Sequence, residues 1–171
     1  LNFSFGSGLA VPGTGIILNN EMDDFSAKPG VANAYGLIGN EKNAIEANKR
    51  MLSSMSPTIV MKNNELFLVT GSPGGSRIIT TVAQIISNVI DHDMNIAEAT
   101  HAPRFHHQWQ PDSIRIESIG FSQDTLNSLL SMGHTIQKKS AMGSTQSIMK
   151  INKYLYGSSD PRKPTALTLG Y

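Results

Sequence analysis

Two apolar runs, Thr58-Ile59-Val60-Met61 and Leu66-Phe67-Leu68-Val69, flank the polar pair Asn63-Asn64, and the glycine-rich stretch Gly71-Ser72-Pro73-Gly74-Gly75-Ser76 follows them directly. Beyond it, Ile78, Ile79, Val82, Ile85, Ile86, Val89 and Ile90 recur at helical spacing. Few folds accommodate that succession. It predicts a β-hairpin turning at Asn63-Asn64, a glycine turn at the end of the second strand, and a helix starting immediately after it. The near-continuous apolar character of both runs further predicts a sheet covered on both faces.

The rest of the chain is read around this unit. Residues 1–56 are rich in Gly, Asn, Ser and Pro, with a strand-like Thr14 to Leu18 and a long polar loop around Lys28-Pro29-Gly30 and Tyr35-Gly36. Loops of that length are functional or disordered as a rule. A short helix through Ile96 to Ala99 is expected to stop before Pro103, because the residue preceding proline is pushed out of helical geometry. Ile114 and Ile116 mark a strand, Ser122 an N-cap, and Leu126, Leu129 and Leu130 a helix closed by Gly133. Thr135-Ile136-Gln137, Ser147-Ile148-Met149 and Tyr154-Leu155-Tyr156 read as further strands. The expectation is an α+β chain whose mostly antiparallel sheet lies between helical layers.

Length and charge narrow the function. The 171 residues fit one domain, under a prior of roughly one per 150 residues. Fourteen basic against thirteen acidic side chains are too balanced for the footprint of a nucleic-acid binder. No cysteine is present, so neither a disulfide framework nor a thiolate site can form, while export remains open. No apolar run approaches the roughly 20 residues that span a bilayer. The opening Leu1-Asn2-Phe3 carries no initiator Met and no leader, and is expected to have been cut from a longer chain.

Three segments carry candidate chemistry. In Gly71 to Arg77, paired glycines between a buried strand and a helix let backbone amides aim at a bound oxygen, with the helix dipole in support. A plain tight turn fits the same residues equally well. The spacing excludes a nucleoside-triphosphate loop and a serine elbow. Glu21 and Asp24, three positions apart, could converge on one turn and suit an ammonium group, although in isolation a solvated acidic turn is the commoner meaning. Ser53 and Ser54 offer adjacent hydroxyls ahead of a strand, as ordinary turn serines also do. The five histidines show no metal-ligand spacing, and adjacent His106 and His107 would point apart. No metal is expected.

These segments in order, Asn19 to Gly30, Leu52 to Thr58 and Gly71 to Thr81, closely resemble the small subunit of bacterial γ-glutamyltransferases. Ala102-Pro103-Arg104-Phe105-His106-His107-Gln108-Trp109, Met142-Gly143-Ser144-Thr145-Gln146 and Gly157-Ser158-Ser159-Asp160-Pro161-Arg162 extend the likeness over nearly the whole chain. The resemblance implies the four-layer α-β-β-α sandwich of N-terminal-nucleophile hydrolases, completed by a large subunit cut from the same precursor by autoprocessing. It implies a heterodimer, or a dimer of heterodimers, exported to the periplasm or exterior. It implies acyl transfer from glutathione or another γ-glutamyl compound, through a threonyl acyl-enzyme, to water or to an amino-acid or peptide acceptor, without a cofactor.

Roles carry over by matching position. Gly74 and Gly75 supply the oxyanion hole through their N–H groups. Asn2, Glu21 and Asp24 hold the glutamyl α-amino group, Ser53 and Ser54 its α-carboxylate, and Tyr35 belongs to a lid loop. The family's Thr-Thr-His-Tyr start does not occur in this sequence, so the resemblance puts the nucleophilic threonine outside it. Two other readings compete: an acylase or capsule-processing transferase built on the same glycine turn, and a non-catalytic glutamyl-binding module.

Overall fold

The computed structural model describes residues 3–170, so Asn2 lies outside the described residues. Its contacts divide the chain into two compact units that meet in sequence at Ser53 and Ser54.

The second unit contains every regular strand and α-helix. Strands β1 (Thr58–Lys62) and β2 (Glu65–Gly71) form the expected hairpin. Asn63 and Asn64 take φ values of 51° and 64° in its turn, the left-handed pair that a two-residue hairpin loop requires and that asparagine tolerates. Strands β6 (Gln146–Ile151) and β7 (Tyr154–Ser158) extend the sheet in the order β1-β2-β6-β7, antiparallel throughout. A second sheet comprises β3 (Phe105–His106), β4 (Ile114–Glu117) and β5 (Ile136–Lys139). There β3 and β4 are antiparallel, whereas β4 and β5 are parallel because a helix lies between them in the chain.

Helix α1 (Arg77–Ile90) starts where the glycine turn ends and buries Ile78, Val82, Ile85 and Val89, a stripe at spacings of four and three. Each such side chain contributes about 1.5–3 kcal/mol of burial free energy. Helix α2 (Ile96–His101) begins with a reciprocal cap: the Asn95 side chain accepts from the Ala97 and Glu98 N–H groups, and Glu98 accepts from the Asn95 N–H. It ends ahead of Pro103 as expected. Helix α3 (Gln123–Ser131) is capped by Ser122, and Gly133 follows it with φ 88°. Of its three leucines only Leu126 is buried. The core is Leu68 of β2 against Ile85, Val89, Ile96 and Ala99 of α1 and α2.

One face of the four-stranded sheet therefore meets the helices. The other face carries Ile59, Val69 and Ile148, cross-strand neighbours that are exposed. Among the described residues, the covering expected on both sides is present on one only, because α1 and α2 both pack on the face that carries Leu68.

The first unit is built differently. It has two short 3-10 turns, Glu21–Asp24 and Glu41–Asn43, and isolated bridges at Ala10/Ile17, Ser26/Ala44 and Ala32/Ile38. The strand expected at Thr14 to Leu18 does not form. Instead, Val11 N–H bonds Ile16 O and Leu18 N–H bonds Leu9 O, giving an irregular hairpin with one bridge, because no further strand pairs with it in this unit. Phe25 is the one buried side chain among the described residues of this unit.

Candidate functional site

The glycine turn of the second unit leaves β2 at Gly71 and enters α1 at Arg77. Gly74 and Gly75 take φ values of 144° and 59°, backbone conformations that any other residue adopts at a cost. At Gly74 an added Cβ would meet nothing closer than 3.8 Å, so conformation, and not space, calls for glycine there. The carbonyl groups point into the helix start: Arg77 N–H bonds Gly74 O and Ile78 N–H bonds Gly75 O. Among the described residues, neither the Gly74 nor the Gly75 N–H has an acceptor. Two consecutive donors at the N-terminus of a 14-residue helix can stabilise an oxygen that gains negative charge.

A second loop, residues 142–145, holds the turn in place. Ser144 N–H donates to Ser72 Oγ at 3.0 Å, and that hydroxyl donates to Pro73 O at 2.8 Å. Gly143, at φ 67°, comes so close that a Cβ would stand 2.6 Å from Ser72 Oγ and 3.1 Å from Thr81 Cγ2. The loop continues into β6, whose Gln146 and Ser147 pair with Gly71 and Thr70 of β2. Buried between those strands, Thr70 Oγ1 and Ser147 Oγ share a 2.8 Å hydrogen bond.

Behind this loop lies a buried ionic network. Arg104, 2% exposed, donates through Nη1 to Met142 O (2.8 Å) and through Nη2 to Asp160 (2.8 Å), Thr145 Oγ1 (3.2 Å) and Thr100 O (3.1 Å). Arg162 grips Glu117 with two guanidinium nitrogens and reaches Asp160, Thr100 O and Ala102 O with the same group. The carboxylates return the grip on the loop: Asp160 accepts from Thr145 N–H at 2.6 Å and Glu117 from Met142 N–H at 2.9 Å. Burial alone would raise the Glu117 pKa, but hydrogen bonds from Arg162 and from the Met142 and Arg104 N–H groups outweigh it and hold the carboxyl below its ordinary value. Asp160 is likewise held below its ordinary value, burial being outweighed by the Arg162 and Thr145 N–H groups and by Arg104. Arg104 is lowered by burial and by the nearby Arg162, whereas the carboxylates raise Arg162.

In the first unit, Glu21 and Asp24 open and close one 3-10 turn. Three residues per turn place them on one face, and their carboxyl groups lie within hydrogen-bonding reach of each other. Asn19 Oδ1 accepts from the Glu21 N–H. Asn43 ties this turn to the segment before Ser53: its side chain donates to Asp24 O at 2.7 Å and accepts from Leu52 N–H at 3.0 Å. Ser53 is exposed at the end of this unit, and Ser54, half-buried, begins the second with its carbonyl accepting from Ser56 Oγ. Tyr35 sits in a closed loop, with Gly30 N–H on Gly39 O and Asn33 N–H on Leu37 O, and its ring stacks on Phe3 at 6.0 Å.

Sequence reasoning singled out the glycines, the acid pair, the serines and Tyr35, but gave no role to Arg104, Glu117, Asp160, Arg162 or Asn43. Charged residues set among prolines and small residues, in Ala102-Pro103-Arg104 and Ser159-Asp160-Pro161-Arg162, were the available signal. His106 and His107 do diverge: the first is buried, while the second is exposed and pairs with Asp112 at 3.1 Å. Near Arg104, His106 is also buried, whereas Phe105 and Trp109 are exposed.

Residues 1–169 match the family model described as gamma-glutamyltranspeptidase. The glutathione hydrolase proenzyme of Escherichia coli (strain K12) is 61% identical over 172 residues, covering 100% of this chain and 30% of that protein. The glutathione hydrolase proenzyme of Pseudomonas sp. (strain A14) is 46% identical over 181 residues, 100% of this chain and 32% of its own length. Among solved structures, a mutant of the Helicobacter pylori gamma-glutamyltranspeptidase is 60% identical with a TM-score of 0.90, over 95% of this chain and 89% of that one. The chain thus spans about 30% of the length of the curated relatives that it matches.

Proposed function

The chain belongs to the γ-glutamyltranspeptidase family, and from that premise we propose that it is the small-subunit region of an enzyme that transfers γ-glutamyl groups from glutathione and related compounds to water or to an amine. The observation that carries this reading is the pair of Gly74 and Gly75 amides, consecutive, without an acceptor, and at the start of α1. In this reading the hydroxyl of a threonine elsewhere in the complete protein attacks the γ-carbonyl carbon. The carbonyl oxygen becomes an oxyanion held by the two amides, each donor of this kind contributing roughly 2.7–4 kcal/mol to the transition state. Collapse of the intermediate expels the amine and leaves an acyl-threonine, which water or an acceptor amine then cleaves.

The charged turn sets the donor. Glu21 and Asp24 present two carboxylates to the α-ammonium of a glutamyl group, Asn2 serves the same group, and Ser53 and Ser54 donate to its α-carboxylate. Tyr35 closes over the bound group as part of its loop. Residues 1–171 form one domain in this reading, and the exposed row Ile59, Val69 and Ile148 is covered in a four-layer sandwich by a large subunit released from the same precursor. The mature enzyme then acts in the periplasm or outside the cell. No helix among the described residues is long and apolar enough to cross a membrane.

The decisive assay uses the complete precursor after maturation, with a γ-glutamyl anilide and the matching glutaryl anilide as parallel donors. The glutamyl compound is expected to be preferred by at least about 100-fold in kcat/KM, because a glutaryl group brings no cation to the two carboxylates proposed to hold one. Equal rates, or a preference for glutaryl, would remove the ammonium-binding role from Glu21 and Asp24 and favour an acylase.

A further inference from the structure

His106 belongs to none of the roles above, yet it is 6% exposed and bonded at both ring nitrogens. Nδ1 stands 2.8 Å from Thr80 Oγ1, and Nε2 stands 2.8 Å from Gln108 Oε1. The same Gln108 oxygen accepts from Ser76 Oγ at 2.9 Å, while Gln108 Nε2 donates to Gln110 O at 3.0 Å. A carboxamide oxygen only accepts, so Nε2 of His106 carries a hydrogen, and in the neutral ring Nδ1 accepts from Thr80. Thr80 has one hydroxyl hydrogen and a second acceptor, Arg77 O, at 3.2 Å. The imidazole is thereby linked to Ser76 through Gln108 and to Arg77 through Thr80, the two residues that follow Gly75.

We propose that His106 is a positioning residue for the Gly74-Gly75 turn, which it fixes through Gln108 and Ser76 when neutral and loosens through Thr80 and Arg77 when protonated. This rests on the reading of that turn as the oxyanion site. Addition of a proton at Nδ1 turns that atom from acceptor to donor, so the Thr80 hydroxyl must swing its hydrogen from the ring to Arg77 O. That carbonyl belongs to the first turn of α1, and back-bonding of a threonine hydroxyl onto a helix carbonyl competes with the helix's own hydrogen bond and bends the helix. The bend falls two residues after Gly75.

The surroundings favour the neutral ring. Burial lowers the His106 pKa most; Arg77 from α1, Arg115 from β4 and the adjacent His107 add to it, and the hydrogen bond to Gln108 opposes it. With a folded pKa below the ordinary 6.5, the contribution of the neutral ring is complete above that value and is lost as pH falls through the folded pKa. The turn is therefore set tight over the neutral and alkaline range.

The test uses the complete, matured enzyme and three variants: Gln108→Glu, Ser76→Ala and the double change. Glutamate keeps both acceptor contacts and adds a negative charge, so the His106 pKa, read by C2-hydrogen exchange with mass spectrometry, is expected to rise by about one unit or more. Amide exchange across residues 71–81 should then accelerate with acid over a window shifted up equally, and kcat should fall over the same window with KM unchanged within about twofold. Ser76→Ala should raise amide exchange of the turn about tenfold at every pH, and the double variant should keep the upward-shifted acid window, which Thr80 and Arg77 carry. A His106 pKa that moves without any change in the turn's exchange overturns the proposal, as does Ser76→Ala leaving that exchange unaltered. Should the parent enzyme fail to turn over the γ-glutamyl anilide, the functional reading fails, while both exchange measurements still decide whether the relay exists.

Discussion

Glu21 and Asp24 stand on a segment whose described residues bury one side chain, Phe25, whereas Gly74 and Gly75 stand between a helix core and a network of four charges, three of them buried. The first region is held by short-range hydrogen bonds, many from asparagine side chains, such as Asn19 to the Glu21 N–H, Asn40 to the Lys42 N–H and Asn43 to Asp24 O. The second is held by contacts between residues far apart in sequence. The difference follows from what each region has to do under the proposed function. An oxyanion site must be rigid before charge develops, since donors that reorganise during reaction lose most of their value. A pair of carboxylates meeting an ammonium keeps its attraction over a range of distances and tolerates a looser frame.

The largest expected effect tests the rigid side. In Asp160→Asn the partners of one carboxylate, Arg104, Arg162 and the Thr145 N–H, lose their counter-charge in a buried setting. Breaking such a pair on one side costs about 3–5 kcal/mol. Chemical denaturation of the matured enzyme should register that loss, and kcat should fall with it. A loss below about 1 kcal/mol would mean that the network does not support the turn, and the contrast between the regions would break.

Next in size is a matched pair of substitutions, one in each region. Gly143→Ala drives a Cβ into Ser72 Oγ and Thr81 at a left-handed φ, an overpacking worth about 1–3 kcal/mol in addition to the backbone strain. It should lower kcat by about 10- to 100-fold and leave the donor KM within about threefold. Asn43→Ala removes the clamp between Asp24 O and the Leu52 N–H, with each orphaned group costing roughly 1–3 kcal/mol where it is shielded from water. Its effect should be the reverse, a donor KM raised about tenfold with kcat nearly kept. Steady-state kinetics on both variants sharpens the comparison, and an exchange of these two signatures would refute it.

How much of this was legible depends on how far apart the interacting residues lie in the chain. The hairpin, α1, α2, the Ser122 cap and the stop at Gly133 were readable because periodicity, caps and left-handed turns are local properties. Thr14 to Leu18 has strand composition, but a strand also needs a neighbour, and this one meets only an irregular partner at Leu9 to Val11. The ionic network was not readable. Its partners are separated by 13 residues between Arg104 and Glu117 and by 56 between Arg104 and Asp160, and no local pattern records such a pairing. The same holds for the relay from Ser76 to Gln108, 32 residues apart. The glycine turn was legible as a turn, but its lack of internal acceptors became visible only in three dimensions.

Acid separates the regions by a smaller, graded effect. Glu117 and Asp160 have folded pKa values below their ordinary ones, so the unfolded chain takes up protons first as pH falls. Their stabilisation is complete above the unfolded values near pH 4 and is lost as pH drops through the folded values, with a slope of up to about 1.4 kcal/mol per pH unit for each group. Glu117→Gln should flatten this dependence in denaturation curves taken between about pH 5 and pH 2. If its slope equals that of the parent protein, Glu117 is not a source of the acid sensitivity.

The smallest effect on stability belongs to Glu21→Gln, and for that reason it isolates function from fold. Glu21 lies on a 3-10 turn with no buried residue, so the change should alter unfolding free energy by no more than about 0.5 kcal/mol. Glutamine keeps the shape and one acceptor oxygen but withdraws a charge from the proposed ammonium site. A charge-assisted hydrogen bond is about twice as strong as a neutral one, which corresponds to a rise of several-fold in donor KM with kcat maintained. Asp24→Asn should behave alike, and because the two carboxyls face each other the double change should raise KM by less than the product of the single effects. A KM unmoved by either substitution would leave the acid pair as a solvated turn, and the looser region would then have no part in recognising the donor.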